Sequence, residues 1–162
     1  MDFNLNLGCI DNGSLKEISE DMLYDVIVVG TGPAAVSAAI YSERKGLSTA
    51  MIGLKIGGQV LDTKDIENII GITTITGIEY AENLEKHLKN YCVALKEGVY
   101  VRSIEQSGKD KILTTSDSKK YKGKTVIIAT GAKWKELNIP GEKEYKGKGV
   151  HYCSTCDGPF YK

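Results

Sequence analysis

The chain has 162 residues, 41% of them hydrophobic and 26% charged, with Lys+Arg and Asp+Glu equal at 21 each. That length forms one ordinary domain, or one domain plus part of another; the charge balance gives no electrostatic case for nucleic acid or an acidic membrane surface. No apolar run approaches the ~18–20 residues that span a bilayer, and "MDFNLNLGCIDNG" lacks the basic start and apolar core of a secretory signal, so a cytoplasmic, reducing location is expected.

Residues 1 to 21 are polar and acidic and are expected to form a leader or linker with one short helical turn. "YDVIVV" (24–29) is a short β-branched run of the kind found in buried parallel strands. "AAVSAAIYSERKG" then reads as an Ala-rich helix ended by Gly46, and "LSTAMI" (47–52) as a second strand. Together they make a β-α-β unit. Residues 53–71 are Gly-rich and irregular. In "GIEYAENLEKHLKNY" (77–91), Ile78, Ala81, Leu84, Leu88 and Tyr91 recur at helical spacing, with Cys92 beside them as a small core residue. "GVYVRSIEQ" (98–106) reads as a strand and "KILTTSDSKKYKG" (111–123) as a hairpin turning at Ser116-Asp117-Ser118. "KTVIIATG" (124–131) is a further buried strand. A loop-rich stretch with Pro140 follows, and a domain boundary is expected near 132–133. Trp134 is expected to pack at that hinge.

Gly30-Thr31-Gly32-Pro33-Ala34-Ala35 matches G-x-G-x-x-G/A between a strand and a helix, the context that makes this short pattern informative. Gly30 permits the tight turn, Gly32 lets backbone approach a pyrophosphate, and Ala35 is small enough for close helix packing. Pro33 suits a first helical turn, and the helix N-terminus offers N–H groups and a favourable dipole to phosphate. The plain alternative is a tight turn in a doubly wound fold with no dinucleotide. The acid expected about 20 residues on, to hold a ribose, is missing. The second strand ends Met51-Ile52-Gly53-Leu54-Lys55, and no acid occurs before Asp62. A plain NAD dehydrogenase is disfavoured, and a flavin protein holding its adenosine differently stays open.

Cys153 and Cys156 form a C-x-x-C six residues before the end of the sequence. Such a pair serves as a metal clip, a structural disulfide or a redox dithiol. Zinc normally takes four ligands, and only His151 lies close in sequence. A disulfide at this spacing closes a loop too small to stabilise much. A redox pair fits the spacing: two thiols three apart close a small disulfide, and either can expel the other from a mixed disulfide. Asp157 beside Cys156 suits general acid–base work. His151 is expected to be an exposed bystander, and so is Cys9 in the leader.

The segments "YDVIVVGTGPAA", "IGGQVLDTKDIEN", "TVIIATGAKW", "NIPGEKEYKGKGV" and "YCSTCDGPFYK" resemble, in that order, the thioredoxin reductase type of pyridine nucleotide-disulfide oxidoreductase. They look most like the flavoprotein subunit of alkyl hydroperoxide reductases, toward which "GAKW", "CDGP" and "LDTKDIEN" lean. The resemblance covers residues 24–162. It implies an α/β fold: a Rossmann-like FAD-binding domain over 22–132, with a parallel sheet, helices and a small β-hairpin layer. The first part of a truncated second nucleotide-binding domain would follow over 133–162. It also implies that Gly30, Gly32, Pro33 and Ala35 hold the FAD pyrophosphate. Gly58 and Gln59 would contact the flavin side, Asn68 would lie near the isoalloxazine, and Ala129, Thr130 and Gly131 would close the adenosine side. Cys156 would face the flavin, Cys153 would attack the partner's disulfide, and Asp157 would handle the proton.

The function so implied is NAD(P)H to FAD, FAD to the Cys153–Cys156 dithiol, and dithiol to a peroxiredoxin, or to thioredoxin in the sister reading. A homodimer is possible. Only one glycine loop of this kind occurs in the sequence, so no NADH or NADPH site is assigned. The chain is expected to be an amino-terminal portion that is inactive alone, with an unpaired apolar edge beside "TVIIAT". Two competing readings belong to other classes: a non-catalytic dinucleotide-binding fragment needing a complementing chain, and a small thiol protein exchanging disulfides without flavin.

Overall fold

A computed structural model describes residues 15–154 and 158–161. These fall into two compact units, Met1–Gly131 and Ala132–Lys162.

Among the described residues of the first unit, the elements run β1 (Lys16–Glu17), β2 (Leu23–Val29), α1 (Pro33–Arg44), β3 (Thr49–Ile52), a 3₁₀ turn (Gly58–Asp62), α2 (Gly77–Leu88), β4 (Ala94–Lys96), β5 (Val101–Ser107), β6 (Asp110–Thr115) and β7 (Lys120–Ile128). They form one seven-stranded sheet in the order β1-β4-β3-β2-β7-β6-β5. The strands from β1 to β7 pair in parallel, and β5–β6 and β6–β7 pair antiparallel. This is the expected α/β architecture, with the hairpin joined to the parallel sheet through β7.

The β2 sequence explains its central place. Val26, Ile27, Val28 and Val29 are all buried, as a strand covered on both faces requires. Alternation sorts them into two cores. Val26 and Val28 pack with Met51, Val36, Ala39, Ile40 and Leu88, on the side of α1 and α2. Ile27 and Val29 pack with Ala50, Ile52, Leu113 and Tyr121, on the side that the hairpin covers. Each fully buried aliphatic side chain of this kind contributes on the order of 1.5–3 kcal/mol. At the amino ends of the strands, Asp25 ties β2 to both neighbours. Its carboxylate accepts the Ser48 N–H and hydroxyl at 3.0 and 2.8 Å and pairs with Lys124 Nζ at 2.7 Å.

Several expectations need correction. The leader holds no helical turn among its described residues. Lys16–Glu17 instead extend the sheet along β4, and Ile18 is buried in the core. The strand β4 carries no clear sequence signal, since "VALK" is short and falls between a helix and a glycine turn. α2 stops at Leu88, so Tyr91 and Cys92 lie beyond it, and Ile78 is 61% exposed rather than on the packed face. The helix start carries a capping box that the apolar pattern did not reveal: Thr76 Oγ1 accepts the Glu79 N–H while Glu79 accepts the Thr76 N–H. "KKYKG" and "KTVII" are one continuous strand, β7, not two. Its first half pairs with both β6 and β2. Beyond Gly123 it pairs only with β2 among the described residues, and Ile128 is 69% exposed.

In the second unit, α3 (Glu142–Tyr145) and a 3₁₀ turn (Gly158–Tyr161) flank an isolated Lys146–Val150 bridge. Trp134, expected to pack at the hinge, is 45% exposed. No helix among the described residues is long and apolar enough to cross a membrane.

Candidate functional site

The register levels the carboxyl ends of four parallel strands. Val29 stands opposite Ile52 and Ile128, and Ile52 opposite Lys96. The loops leaving these ends are therefore neighbours, at the edge where sheets of this class take their ligands.

Gly30 begins the first loop. Its N–H donates to Ile52 O at 2.8 Å, and the Ala129 N–H donates to Val29 O at 2.8 Å, so this loop is anchored to both adjoining strands. A Cβ on Gly30 would collide with Ala129 O, and its φ of 126° is one that L side chains rarely adopt. Thr31 is buried, and its hydroxyl donates to Lys55 O at 2.8 Å while its carbonyl accepts the Gly57 N–H at 2.9 Å. These two bonds fasten the 53–58 segment onto the glycine loop.

Gly32 is different. Its φ of −79° suits any residue, and a Cβ there would meet nothing closer than Gly57 O at 3.8 Å. No protein contact requires glycine at this position, so the fold leaves a gap at Gly32 wide enough for a Cβ. Pro33 opens α1 behind it, no side chain caps that helix start, and the first turn holds no acid. Ala35 is fully buried, as close packing of the helix demands. This gap, wide enough for a Cβ and lying before an uncapped helix N-terminus, is where backbone N–H groups and the helix dipole could receive an anionic group.

Gly58 lies against this gap: a Cβ on it would be 3.4 Å from Gly32 Cα. Gln59 follows in the exposed 3₁₀ turn, and Asn68 is exposed in the loop closed by the Ile66–Ile75 bridge. Ala129, Thr130 and Gly131 leave β7 beside Gly30, with Thr130 and Gly131 exposed. The structure thus joins Gly30 to Ala129 and Gly32 to Gly58.

Sequence reasoning missed Thr31, whose clue was its place inside the glycine loop. It also missed Glu97. That residue follows β4, and its carboxylate accepts the Ile56 N–H at 2.7 Å, bracing the turn into Gly57. The acid sought at the end of β3 is absent there, and Glu97 brings a carboxylate to the same edge from the next strand. Reading it required recognising β4.

In the second unit, Cys153 is half-buried and disulfide-bonded. It shares an open pocket with Gly149, His151, Tyr152, Ser154, Gly158 and Tyr161. His151 is no exposed bystander: it is half-buried, its Nε2 hydrogen-bonds the Tyr161 hydroxyl at 2.5 Å, and the two rings meet edge-on. Cys92, read as a small core residue, is half-buried and disulfide-bonded. Cys156, Asp157 and Cys9 lie outside the described residues. Among the described residues, no cluster of His, Cys, Asp and Glu has the makings of a metal site.

The fold and the glycine-loop edge define an α/β protein of the dinucleotide-binding class. Residues 24–162 match the family described as pyridine nucleotide-disulphide oxidoreductase, and the chain belongs to that family. It is 46% identical over 139 residues to the alkyl hydroperoxide reductase F subunit from Staphylococcus aureus (strain NCTC 8325 / PS 47), covering 86% of this chain and 27% of that protein. It is 43% identical to the corresponding alkyl hydroperoxide reductase protein from Pseudomonas putida, covering 96% of this chain and 31% of that one. Among solved structures, thioredoxin reductase from T. acidophilum superposes with a TM-score of 0.70 at 42% identity, over 85% of this chain and 45% of that one. The thioredoxin reductase of Streptococcus pyogenes MGAS5005 gives 0.71 at 42% identity, over 88% and 46%. The chain therefore spans less than a third of those curated relatives' length and under half of those structures.

Proposed function

We propose that this chain serves an FAD-dependent disulfide reductase that passes electrons to a peroxiredoxin. The observation that carries the proposal is the space in front of Gly32, facing a helix N-terminus that no side chain caps. The names of the curated relatives supply the peroxide-reducing context.

In this reading, Gly30 sets the turn and the backbone from Gly32 to Ala35 receives the FAD pyrophosphate. Gly58 and Gln59 line the flavin side, Asn68 lies near the ring, and Ala129, Thr130 and Gly131 border the adenosine. Thr31 and Glu97 hold the facing loop in place. When bound, FAD supplies a two-electron carrier between a nicotinamide nucleotide and a dithiol.

At the dithiol, the Cys153 thiolate attacks one sulfur of the partner's disulfide and forms a mixed disulfide, releasing the partner's other sulfur as a thiolate. Cys156 then attacks Cys153, reforms the internal disulfide and releases the partner's second thiolate. Asp157 delivers a proton to a departing sulfur. The sequence offers one glycine loop, so the proposal for these 162 residues is FAD binding and dithiol exchange, and NADH or NADPH binding is assigned to none of them.

Thioredoxin is the second reading of the acceptor, favoured by the titles of the solved relatives. Purified chain, saturated with FAD and reduced, is to be mixed with oxidised peroxiredoxin or oxidised thioredoxin, and free thiols counted. Thiols appearing on peroxiredoxin support the proposal, and thiols on thioredoxin alone support the second reading. A chain that purifies without flavin absorption and takes up no FAD refutes both.

A further inference from the structure

One carboxylate organises the second unit. Glu142, almost fully buried, accepts the N–H groups of Leu137 at 2.8 Å, Asn138 at 2.5 Å and Ile139 at 3.4 Å. It also accepts the hydroxyl of Tyr152, the residue immediately before Cys153. The Tyr152 ring is held a second time: Lys146 Nζ lies 5.3 Å from its centroid, and that ammonium is fixed by Glu136 at 3.0 Å. The segment reaching Cys153 is therefore gripped at both the tip and the face of one aromatic side chain.

We propose that Glu142 and Tyr152 are positioning residues for Cys153, a latch that holds the cysteine-bearing segment in its disulfide-forming geometry. The inference rests on the dithiol reading above and adds residues outside the C-x-x-C. The latch is made with Cys153 in its disulfide. A restrained segment keeps two thiols at a high effective concentration, which favours the closed disulfide. Loosening it favours the open dithiol. The charge states suit this role. The Tyr152 hydroxyl and the backbone donors hold Glu142 below the usual carboxylate range, and the same bond pushes Tyr152 up to about 12, so neither end of the latch titrates near neutrality.

The test is the thiol–disulfide equilibrium of the full chain against glutathione, without flavin or nicotinamide, read by alkylation and mass. Tyr152→Phe removes only the hydroxyl and is expected to shift the constant toward the dithiol by up to about tenfold, or about 30 mV. Glu142→Gln is expected to shift it the same way. Adding Tyr152→Phe to Glu142→Gln is expected to have a clearly smaller effect than in the wild-type background, because the glutamine carbonyl accepts the hydroxyl without the carboxylate's charge; a merely structural tyrosine would not produce this coupling. Should Glu142→Gln fail to fold, Tyr152→Phe alone carries the test, with circular dichroism as the control. A wild-type constant in folded Tyr152→Phe overturns the latch. So does an undiminished Tyr152→Phe effect in the Glu142→Gln background. A wild-type chain with no exchangeable disulfide at Cys153 overturns the reductase reading itself, and the latch with it.

Discussion

Gly30 and Ala129 meet backbone to backbone where β2 and β7 end, with no room for a side chain between them. Gly30→Ala combines an unfavourable φ with a clash against a carbonyl that cannot rotate away. It is expected to destabilise the chain by about 2–4 kcal/mol, visible as a lowered thermal midpoint. A midpoint within error of wild type would remove Gly30 from the architecture of the loop.

Thr31 joins two loops through one hydroxyl. Thr31→Val keeps the shape and removes the donor to Lys55 O. A loss of about 1–2 kcal/mol in urea unfolding is expected, together with a several-fold weaker hold on FAD. Unfolding and flavin titration of the same sample separate the two effects. Unchanged FAD affinity would show that the 53–58 loop plays no part in binding.

Asp25 predicts an acid limit. Lys124 above all, with Ser48, lowers its carboxyl to about 2 from 3.8. A depressed carboxyl contributes stability that is fully present above its unfolded value and lost as pH falls through its folded one. The window is therefore pH 4 down to 2. Since the Asp25 side chain keeps 28% of its exposure, solvent screening limits the contribution to about 1–2 kcal/mol. Asp25→Asn is expected to be less stable at pH 7 and to flatten the pH dependence across that window. An unaltered acid limb would place the effect elsewhere.

Cys153→Ser separates the two halves of the proposed function. Disulfide exchange with the protein acceptor is expected to disappear, while FAD affinity stays within about twofold of wild type. Exchange surviving in Cys153→Ser would mean that another thiol attacks the partner.

The first unit was largely legible because its signals are local. "YDVIVV" is apolar on both faces, "GTGPAA" follows at once, and the helix ends at a glycine, so β2, the phosphate loop and α1 could be read in order. What escaped depends on neighbours far along the chain. Lys16–Glu17 become a strand only because β4 offers an edge, and β4 is three residues long. Ile78 fits the helical period but sits one residue into α2, where it faces solvent. Glu97 reaches the Ile56 N–H from 41 residues along the chain, where β4 lies beside β3. The second unit was legible as chemistry, through the C-x-x-C, but not as structure. Nothing in "NIPGEKEY" marks Glu142 as buried, because its partners are backbone donors and a tyrosine ten residues on.

The direct test of the account is calorimetric titration of FAD into the wild-type chain and into Gly32→Val. Gly32 has an ordinary φ, and a Cβ there would make only an ordinary contact with Gly57 O at 3.8 Å, so the variant is expected to fold with a nearly unchanged thermal midpoint. Its branched side chain occupies the gap where the proposal puts the pyrophosphate and would remove charge-assisted bonds worth about 1.5–3 kcal/mol each, so a loss of roughly 100-fold or more in affinity is predicted. Equal FAD affinity in the two proteins, or none in the wild type, would contradict it.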